Sequence, residues 1–154
     1  MTVRRSAGLL LFRRTADGPQ VLLGHMGGPF FARKDAGAWT VPKGEYEPDE
    51  PAWEAARREF REELGLEPPD GEALALGEVR QTNGKLVTAW AVEADLDPAA
   101  VVPGTFTMEW PPRSGRLREF PELDRVAWFG LDQARTVIVT AQAAFLDRLA
   151  EHSA

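Results

Sequence analysis

The stretch from Gly44 to Leu66, GEYEPDEPAWEAARREFREELGL, contains the features that decide the fold of this chain. Its alanines, arginines and glutamates favour a helix, in which residues three and four positions apart share a face. Glu59, Glu62 and Glu63 then lie within an arc of roughly 100°. Like charges this close destabilise a helix unless a cation lies among them, and carboxylate oxygens are ligands that Mg²⁺ and Mn²⁺ prefer. The spacing therefore predicts a metal-binding face.

An apolar stripe beside the carboxylate arc indicates how this helix is held against the rest of the protein. Its members are Trp53, Ala56, Phe60 and Leu64. A stripe of this kind packs against a sheet, which would fix the metal-binding face. Pro51 suits the first helical turn after a cap at Asp49 or Glu50. Gly65 suits the left-handed position that ends a helix.

A basic residue lies within the same acidic face. Arg58 follows Glu54 by four residues and precedes Glu62 by four. At this spacing the guanidinium group would bridge both carboxylates. We therefore expect Arg58 to orient Glu62 from behind the metal ligands.

The segment resembles the signature of the Nudix hydrolases. It reproduces that signature in full as Gly44, five residues, Glu50, seven residues, Arg58-Glu59-Phe60, one residue, Glu62-Glu63, one residue and Gly65-Leu66. The resemblance implies a pyrophosphohydrolase that depends on Mg²⁺ or Mn²⁺. On the matching positions it implies catalytic roles for Arg58, Glu59, Glu62 and Glu63. The ligands it implies are Glu59, Glu63, the Gly44 carbonyl and Glu62, the last either directly or through water.

One further carboxylate is implied by the resemblance. Nudix enzymes commonly draw a metal-binding or general-base glutamate from the loop before the final strand, about six residues ahead of a tryptophan. Glu122 has this spacing to Trp128, and Glu119 and Glu109 are the alternatives. Glu122 or Glu62 would accept the proton of the attacking water, and the sequence leaves both possibilities open.

Candidate substrate contacts lie on both sides of the helix. Lys43 offers a point charge for a phosphate. Arg116 and Arg118, close to Phe120, suit an anionic nucleotide through paired hydrogen bonds and stacking; the alternative is a solvated loop in which the arginines offset nearby acids. Trp39, ahead of Pro-Lys-Gly, is similar to the approach to this signature in Nudix enzymes that cleave dinucleoside polyphosphates.

These residues favour a nucleoside or dinucleoside polyphosphate as substrate. Nucleotide sugars, ADP-ribose and diphosphoinositols are the alternatives, although the downstream motifs of ADP-ribose, coenzyme A and NADH hydrolases are missing. The tyrosine of some dinucleoside polyphosphate enzymes is missing too, since the one tyrosine is Tyr46. A non-catalytic nucleotide sensor is the alternative from another class, and the retention of every signature carboxylate argues against it.

Strands and a final helix are predicted around the signature. The predicted strands cover residues 6–13, 20–24, 73–80 and 86–93. Asn83-Gly84 is a hairpin signal, apolar residues at helical spacing predict a helix over 138–151, and prolines predict an irregular segment over 94–121. The element order indicates the α+β class, and the resemblance implies a Nudix-type sandwich in which a mixed β-sheet is flanked by helices. Residues 1–154 are expected to form a single domain.

The amino-acid composition limits the classes of partner and ligand that this chain can bind. Lysine and arginine total 18 and aspartate and glutamate total 24, so the formal net charge is −6, too acidic for a general nucleic-acid binder. The chain has no cysteine and two histidines, which excludes disulfides and thiolate zinc sites. No apolar run reaches about 18 residues, so the sequence predicts no membrane-spanning helix. We expect a cytoplasmic monomer or homodimer that acts on a small phosphorylated substrate, with no membrane contact and no stable nucleic-acid binding.

Overall fold

The computed structural model describes residues 3–153, which form a seven-stranded mixed sheet, a separate two-stranded hairpin and three α-helices. The strands are β1 (Arg5–Thr15), β2 (Gly18–Met26), β3 (Trp39–Thr40), β4 (Lys43–Glu45), β5 (Ala73–Arg80), β6 (Leu86–Glu93), β7 (Thr105–Glu109), β8 (Leu117–Pro121) and β9 (Leu123–Gly130). The helices are α1 (Ala52–Leu64), α2 (Leu131–Val137) and α3 (Ala143–Ser153).

Strand β1 is the centre of the large sheet. The strand order is β3-β2-β1-β6-β5, with β4 also paired to β1 and β9 also paired to β2. β1 runs parallel to β6 and antiparallel to β2 and β4. The parallel pairing requires a long crossover, and the chain that joins the two strands includes α1.

Alternating side chains of β1 bury both faces of the sheet. Leu9 and Leu11 belong to the core that includes Phe60 of α1, whereas Leu10 and Phe12 belong to the core that includes Phe145 of α3. A strand buried on both faces is a continuous apolar run, which explains the GLLLF sequence. Helices therefore lie on both faces of a mixed sheet, and the predicted α+β sandwich is confirmed.

Helix α1 has the predicted apolar stripe and the predicted C-terminal end. Gly65 adopts the left-handed conformation, with φ of 68°. The predicted cap is wrong, because Pro51 occupies the N-cap position and makes no side-chain capping bond. Glu50 cannot act as the cap since both of its carboxylate oxygens accept hydrogen bonds from Arg58.

Other predicted elements differ in extent from the observed ones. The strands over 73–80 and 86–93 are confirmed as β5 and β6, whereas β1 and β2 extend beyond the predicted runs. The irregular prediction for 94–121 is wrong in part, because the prolines exclude a long helix there but allow a 3₁₀ turn at Pro98–Ala100 and the hairpin of β7 and β8. The final helix begins at Ala143, after an extended residue at Ile138 and a single 3₁₀ turn. None of the helices that the structure describes has the length and apolar character needed to cross a bilayer.

Candidate active site

An acidic pocket of about 390 Å³ lies where α1 meets β4, the turn between β5 and β6, and the loop before β9. Its lining residues are Ser6, Lys43, Gly44, Glu45, Glu59, Glu62, Glu63, Lys85 and Glu122. Five of them are glutamates and two are lysines, so the lining carries an excess of negative charge. A divalent cation or a protonated carboxyl group is needed to reduce the repulsion among these side chains.

Two of the three carboxylates on the acidic face of α1 are buried because the neighbouring apolar stripe holds the helix against the sheet. Glu59 and Glu63 are each 8% exposed, whereas Glu62 is exposed. Burial, reinforced by the negative charges of Glu122 and Glu59, raises the pKa of Glu63 to about 8. Burial also raises the pKa of Glu59, although a hydrogen bond from Arg58 opposes this shift. The pocket therefore holds carboxylates whose ionised forms lack sufficient stabilisation from the protein alone.

Arg58 fixes the carboxylates from one side. Its guanidinium group donates to both oxygens of Glu50 at 2.8 Å, to Glu59 at 2.8 Å and to Glu62 at 3.2 Å. The predicted bridge to Glu62 is present, but Glu50 replaces Glu54 as the second partner. The β4–α1 loop brings Glu50 back over the helix, and a planar two-point contact is stronger than a bridge along an exposed helix face. The hydrogen bond to Glu50 raises the pKa of Arg58, which stays charged.

The absence of a side chain at Gly44 lets the backbone of β4 and the carboxylate of Glu59 lie close together. A Cβ atom added to Gly44 would overlap the carboxylate of Glu59. β4 pairs with β1 so that Gly44 faces Ala7 and Glu45 faces Ser6. The hydroxyl of Ser6 is buried and lacks a hydrogen-bond partner among residues 3–153. The backbone of Gly44 and the hydroxyl group of Ser6 therefore lie in the pocket lining together with the carboxylates.

This donor set fits a hard divalent cation. Carboxylate and carbonyl oxygens suit Mg²⁺ and Mn²⁺, whereas zinc prefers imidazole or thiolate ligands. Within the described part of the chain, no three acidic or histidine side chains are already close enough to enclose an ion. Arg58 holds Glu59 and Glu62 through hydrogen bonds, and like charges favour separation in the absence of a cation. The residues present fit the ion that the resemblance implies.

The loop before β9 brings Glu122 into the pocket, while Glu119 and Glu109 lie outside its lining. Glu119 is an exposed residue of β8, and the Glu109 side chain accepts a hydrogen bond from the backbone N–H of Arg113. Burial raises the pKa of Glu122, and the positive charge of Lys43 opposes this shift. Among the three candidates, the structure brings Glu122 together with the carboxylates of α1.

Two lysines, Lys43 and Lys85, also line this pocket. Lys43 is partly buried, and burial together with the charge of Lys85 lowers its pKa. Lys85 lies in the turn between β5 and β6, and its ammonium group is 3.4 Å from the carboxylate of Glu45. Sequence reasoning missed Lys85, Glu45 and Ser6 as pocket residues. Only the parallel pairing of β6 with β1 brings this turn to the signature, and no local pattern reports that pairing.

Other predicted substrate residues lie away from the pocket. Trp39 is 4% exposed and packs edge-on against His25 and Phe129, which contradicts a direct contact with substrate. Its place in β3 buries it in the sheet core. Phe120 is half-buried in β8, and the Arg118 guanidinium group lies 5.5 Å from its ring centre.

Arg116 is exposed at the far end of the β7–β8 hairpin. Neither Arg116 nor Arg118 is among the residues that line the pocket. The structure therefore gathers the metal-binding candidates but leaves the predicted nucleotide contacts on a separate projecting element.

A larger cleft of about 750 Å³ adjoins this pocket at Glu45. Three arginines and three glutamates line it together with neutral residues: Arg4, Arg5, Arg58, Glu45, Glu47 and Glu50. These opposite charges balance each other. The larger cleft therefore lacks the unsatisfied negative charge that distinguishes the acidic pocket.

Comparisons with known proteins agree with this geometry. The sequence model of the NUDIX domain matches residues 2–149. A CTP pyrophosphohydrolase from Escherichia coli is 34% identical over 92 residues, which cover 58% of this chain and 56% of that protein. The chain thus spans little more than half the length of this relative.

Two solved structures share the fold. An Ap4A hydrolase of C. elegans in a binary complex has a TM-score of 0.66 and 21% identity, covering 96% of each chain. The NUDIX domain of Shewanella oneidensis NrtR in complex with ADP ribose has a TM-score of 0.64 and 14% identity, covering 99% of this chain and 89% of that one. At these identities the similarity establishes the architecture alone.

Proposed function

This chain belongs to the Nudix family, and from that premise we propose that it hydrolyses a pyrophosphate bond in a nucleoside or dinucleoside polyphosphate with Mg²⁺ or Mn²⁺. The observation that carries the proposal is the burial of Glu59 and Glu63 in one pocket with Glu122. A relative that is 34% identical and named a CTP pyrophosphohydrolase supports a nucleoside triphosphate within this substrate class.

The metal would be held by oxygen atoms from three parts of the chain. Glu59 and Glu63 of α1, the carbonyl of Gly44 and the carboxylate of Glu122 are the proposed ligands. Glu62 is exposed and would act directly or through water. A bound divalent ion neutralises the charge of the diphosphate and acidifies the attacking water.

The side chains around these ligands perform the remaining tasks. The oxygen of the water attacks phosphorus while Glu122 or Glu62 accepts the proton of the water, and the P–O bond of the anhydride breaks. Lys43 lies where it offsets negative charge on a phosphate. Arg58 keeps Glu59 and Glu62 oriented through its hydrogen bonds, so the carboxylates do not have to reorganise during the reaction.

Arg116, Arg118 and Phe120 are proposed to contact the distant part of the substrate. Arg118 lies four positions before Glu122, which corresponds to about 13 Å of extended chain. A nucleotide with its scissile phosphate in the acidic pocket reaches Arg118 only if it is long. This distance favours a dinucleoside polyphosphate or a nucleoside triphosphate held at its far end.

Several alternatives stay within the family. Nucleotide sugars, ADP-ribose and diphosphoinositols also contain the diphosphate that the pocket would bind. A non-catalytic nucleotide sensor is the alternative of another class, and it does not need the buried carboxylates that this chain retains. We further propose that residues 1–154 act as a single domain in the cytoplasm, as a monomer or homodimer, without membrane contact or stable nucleic-acid binding.

A substrate screen tests the proposed function. Purified protein is incubated with nucleoside di- and triphosphates, dinucleoside polyphosphates, nucleotide sugars, ADP-ribose and diphosphoinositols, each with Mg²⁺, Mn²⁺ or EDTA. We expect release of phosphate, pyrophosphate or nucleoside monophosphate from a nucleoside or dinucleoside polyphosphate, with loss of the signal in EDTA. Nucleotide binding without any hydrolysis would support the sensor instead.

The assignment of the loop carboxylate leads to a direct prediction. Glu122→Gln is expected to lower kcat by about 100-fold, since it removes either a metal ligand or the proton acceptor. Glu119→Gln changes charge equally in the adjacent strand, yet Glu119 lies outside the pocket, so near-normal kcat is expected. Steady-state kinetics of both variants provide the measurement. Equal mild losses would reject both residues as the catalytic loop carboxylate.

A further inference from the structure

His25 is a buried polar residue that the proposed mechanism does not use. It belongs to β2 and is 0% exposed, although most of its neighbours are apolar. Its Nδ1 atom lies 2.9 Å from a carboxylate oxygen of Asp124, and its Nε2 atom lies 2.6 Å from the carbonyl oxygen of Lys34. The Trp39 ring packs edge-on against the imidazole at 5.2 Å. Both ring nitrogens are therefore satisfied inside the core.

These contacts connect three separate parts of the chain. Lys34 belongs to the loop between β2 and β3, and Asp124 belongs to β9. Both partners are oxygen atoms that accept hydrogen bonds, so a ring nitrogen that carries a proton donates to the partner it faces. Removal of the ring would break both contacts, which join β2 to the β2–β3 loop and to β9. His25 thus holds the β2–β3 loop and the start of β9 together.

Asp124 is the extra residue of a β-bulge. His25 pairs with Arg125 and the next residue, Met26, pairs with Leu123, so Asp124 has no opposite residue in β2. A bulge bends its strand and redirects the residues beside it, and bulges are frequent next to active sites. The residue two positions before this bulge is Glu122. The hydrogen bond from His25 holds the bulge residue in place.

The backbone beyond the bulge is also fixed to β2. The backbone N–H of Gly27 donates to the carbonyl of Glu122 at 2.9 Å. A Cβ atom on Gly27 would overlap the carbonyl oxygen of Pro121, so the two chains approach each other closely here. The route from His25 to Glu122 therefore consists of one side-chain bond to the bulge and one backbone bond beyond it.

We propose that His25 is a positioning residue, which holds the Asp124 bulge and thereby directs the Glu122 carboxylate into the acidic pocket. The inference rests on the proposed function, because it assumes that Glu122 acts in hydrolysis. His25 itself touches neither substrate nor metal. Its effect on turnover passes through the backbone of residues 122–124.

A measurement on the metal-free protein tests the structural part. The amide hydrogen of Gly27 reports whether its bond to Glu122 is intact, and NMR hydrogen exchange follows it directly. Asp124→Ala is expected to speed exchange at Gly27 by about tenfold or more, whereas Leu22 and Leu23 in the middle of β2 keep their rates. Asp124→Asn retains an acceptor oxygen and is expected to preserve the protection. Unchanged exchange in Asp124→Ala overturns the proposal.

A double-mutant cycle tests the catalytic part. His25→Phe preserves a buried ring but removes both ring nitrogens, and we expect kcat to fall by about 10- to 100-fold with little change in KM. Asp124→Ala should match it, and Asp124→Asn should recover most of the loss. In the Glu122→Gln background neither His25→Phe nor Asp124→Ala should lower kcat further, because the same carboxylate is already lost.

The controls separate positioning from simple destabilisation. Phe145→Leu removes volume on α3 from a different core cluster than the one that holds Leu123, and should lower thermal stability without changing kcat or exchange at Gly27. If the effects of His25→Phe and Glu122→Gln on kcat multiply, His25 acts elsewhere and the proposal fails. If Glu122→Gln alone leaves kcat unchanged, the function proposed for Glu122 fails, while the Gly27 amide still decides whether His25 and Asp124 hold the bulge.

Discussion

Replacing Glu63 with glutamine is expected to lower metal-dependent turnover by about 10²- to 10³-fold while the protein remains folded. Glutamine has nearly the same shape but no negative charge, so the pocket loses a proposed ligand without losing volume. Glu63 lines the pocket together with Glu59 and Lys43, where its charge would contribute to binding the proposed metal ion. The measurement is kcat at saturating substrate over a series of Mg²⁺ concentrations, with circular dichroism to verify folding.

Glu67→Gln is a matched control for this variant. Glu67 lies just beyond the end of α1 and forms an exposed ion pair with Arg61, so its replacement removes the same charge outside the pocket. Exposed pairs of this kind contribute roughly 0–1 kcal/mol, and turnover should stay normal. If Glu63→Gln also retained near-normal turnover at every Mg²⁺ concentration, Glu63 would be removed from the set of metal ligands.

Glu63→Gln is also expected to stabilise the metal-free protein at alkaline pH. The pKa of Glu63 is raised to about 8 in the folded chain, compared with 4.5 as the ordinary value. The folded state therefore binds the proton more tightly than the unfolded state, and stability falls as pH rises from about 4.5 to 8. Since one pKa unit corresponds to about 1.4 kcal/mol, the ionised Glu63 carboxyl group costs on the order of 5 kcal/mol at pH 9.

Urea denaturation in EDTA at pH 6 and pH 9 measures this effect. Through Glu63 the natural protein should lose about 3 kcal/mol of unfolding free energy between the two values, whereas Glu63→Gln should lose much less, because glutamine does not titrate. Burial also raises the pKa of Glu59 and Glu122, so a smaller pH dependence in the same direction should persist in the variant. Parallel pH profiles of the two proteins would contradict the burial of an ionisable Glu63.

Activity and stability should thus change in opposite directions at one residue. Bound Mg²⁺ is expected to restore stability to the natural protein at pH 9, because binding to the folded state alone shifts the folding equilibrium. It should have little effect on Glu63→Gln. This opposition is what the proposed metal site predicts for a buried carboxylate among other acidic side chains.

The amino-acid sequence by itself determined the signature helix and its two faces. Helical periodicity depends on neighbours three and four residues apart, so the positions of Glu59, Glu63 and Phe60 on α1 could be predicted from spacing alone. Alternation over two residues likewise predicted β5 and β6 at their observed bounds. These are local properties of the chain, and a single sequence reports them directly.

Only the tertiary structure decided how distant segments meet at the site. Sequence spacing left Glu122 and Glu119 as alternatives, and the loop before β9 brings Glu122 to α1. Three further features likewise depend on strand pairing across the sheet. They are the hydrogen bonds from Arg58 to Glu50, the burial of Trp39 and the position of Lys85. Such pairings join residues far apart in the chain. Their register depends on the packing of both faces of the sheet together, which no local pattern contains.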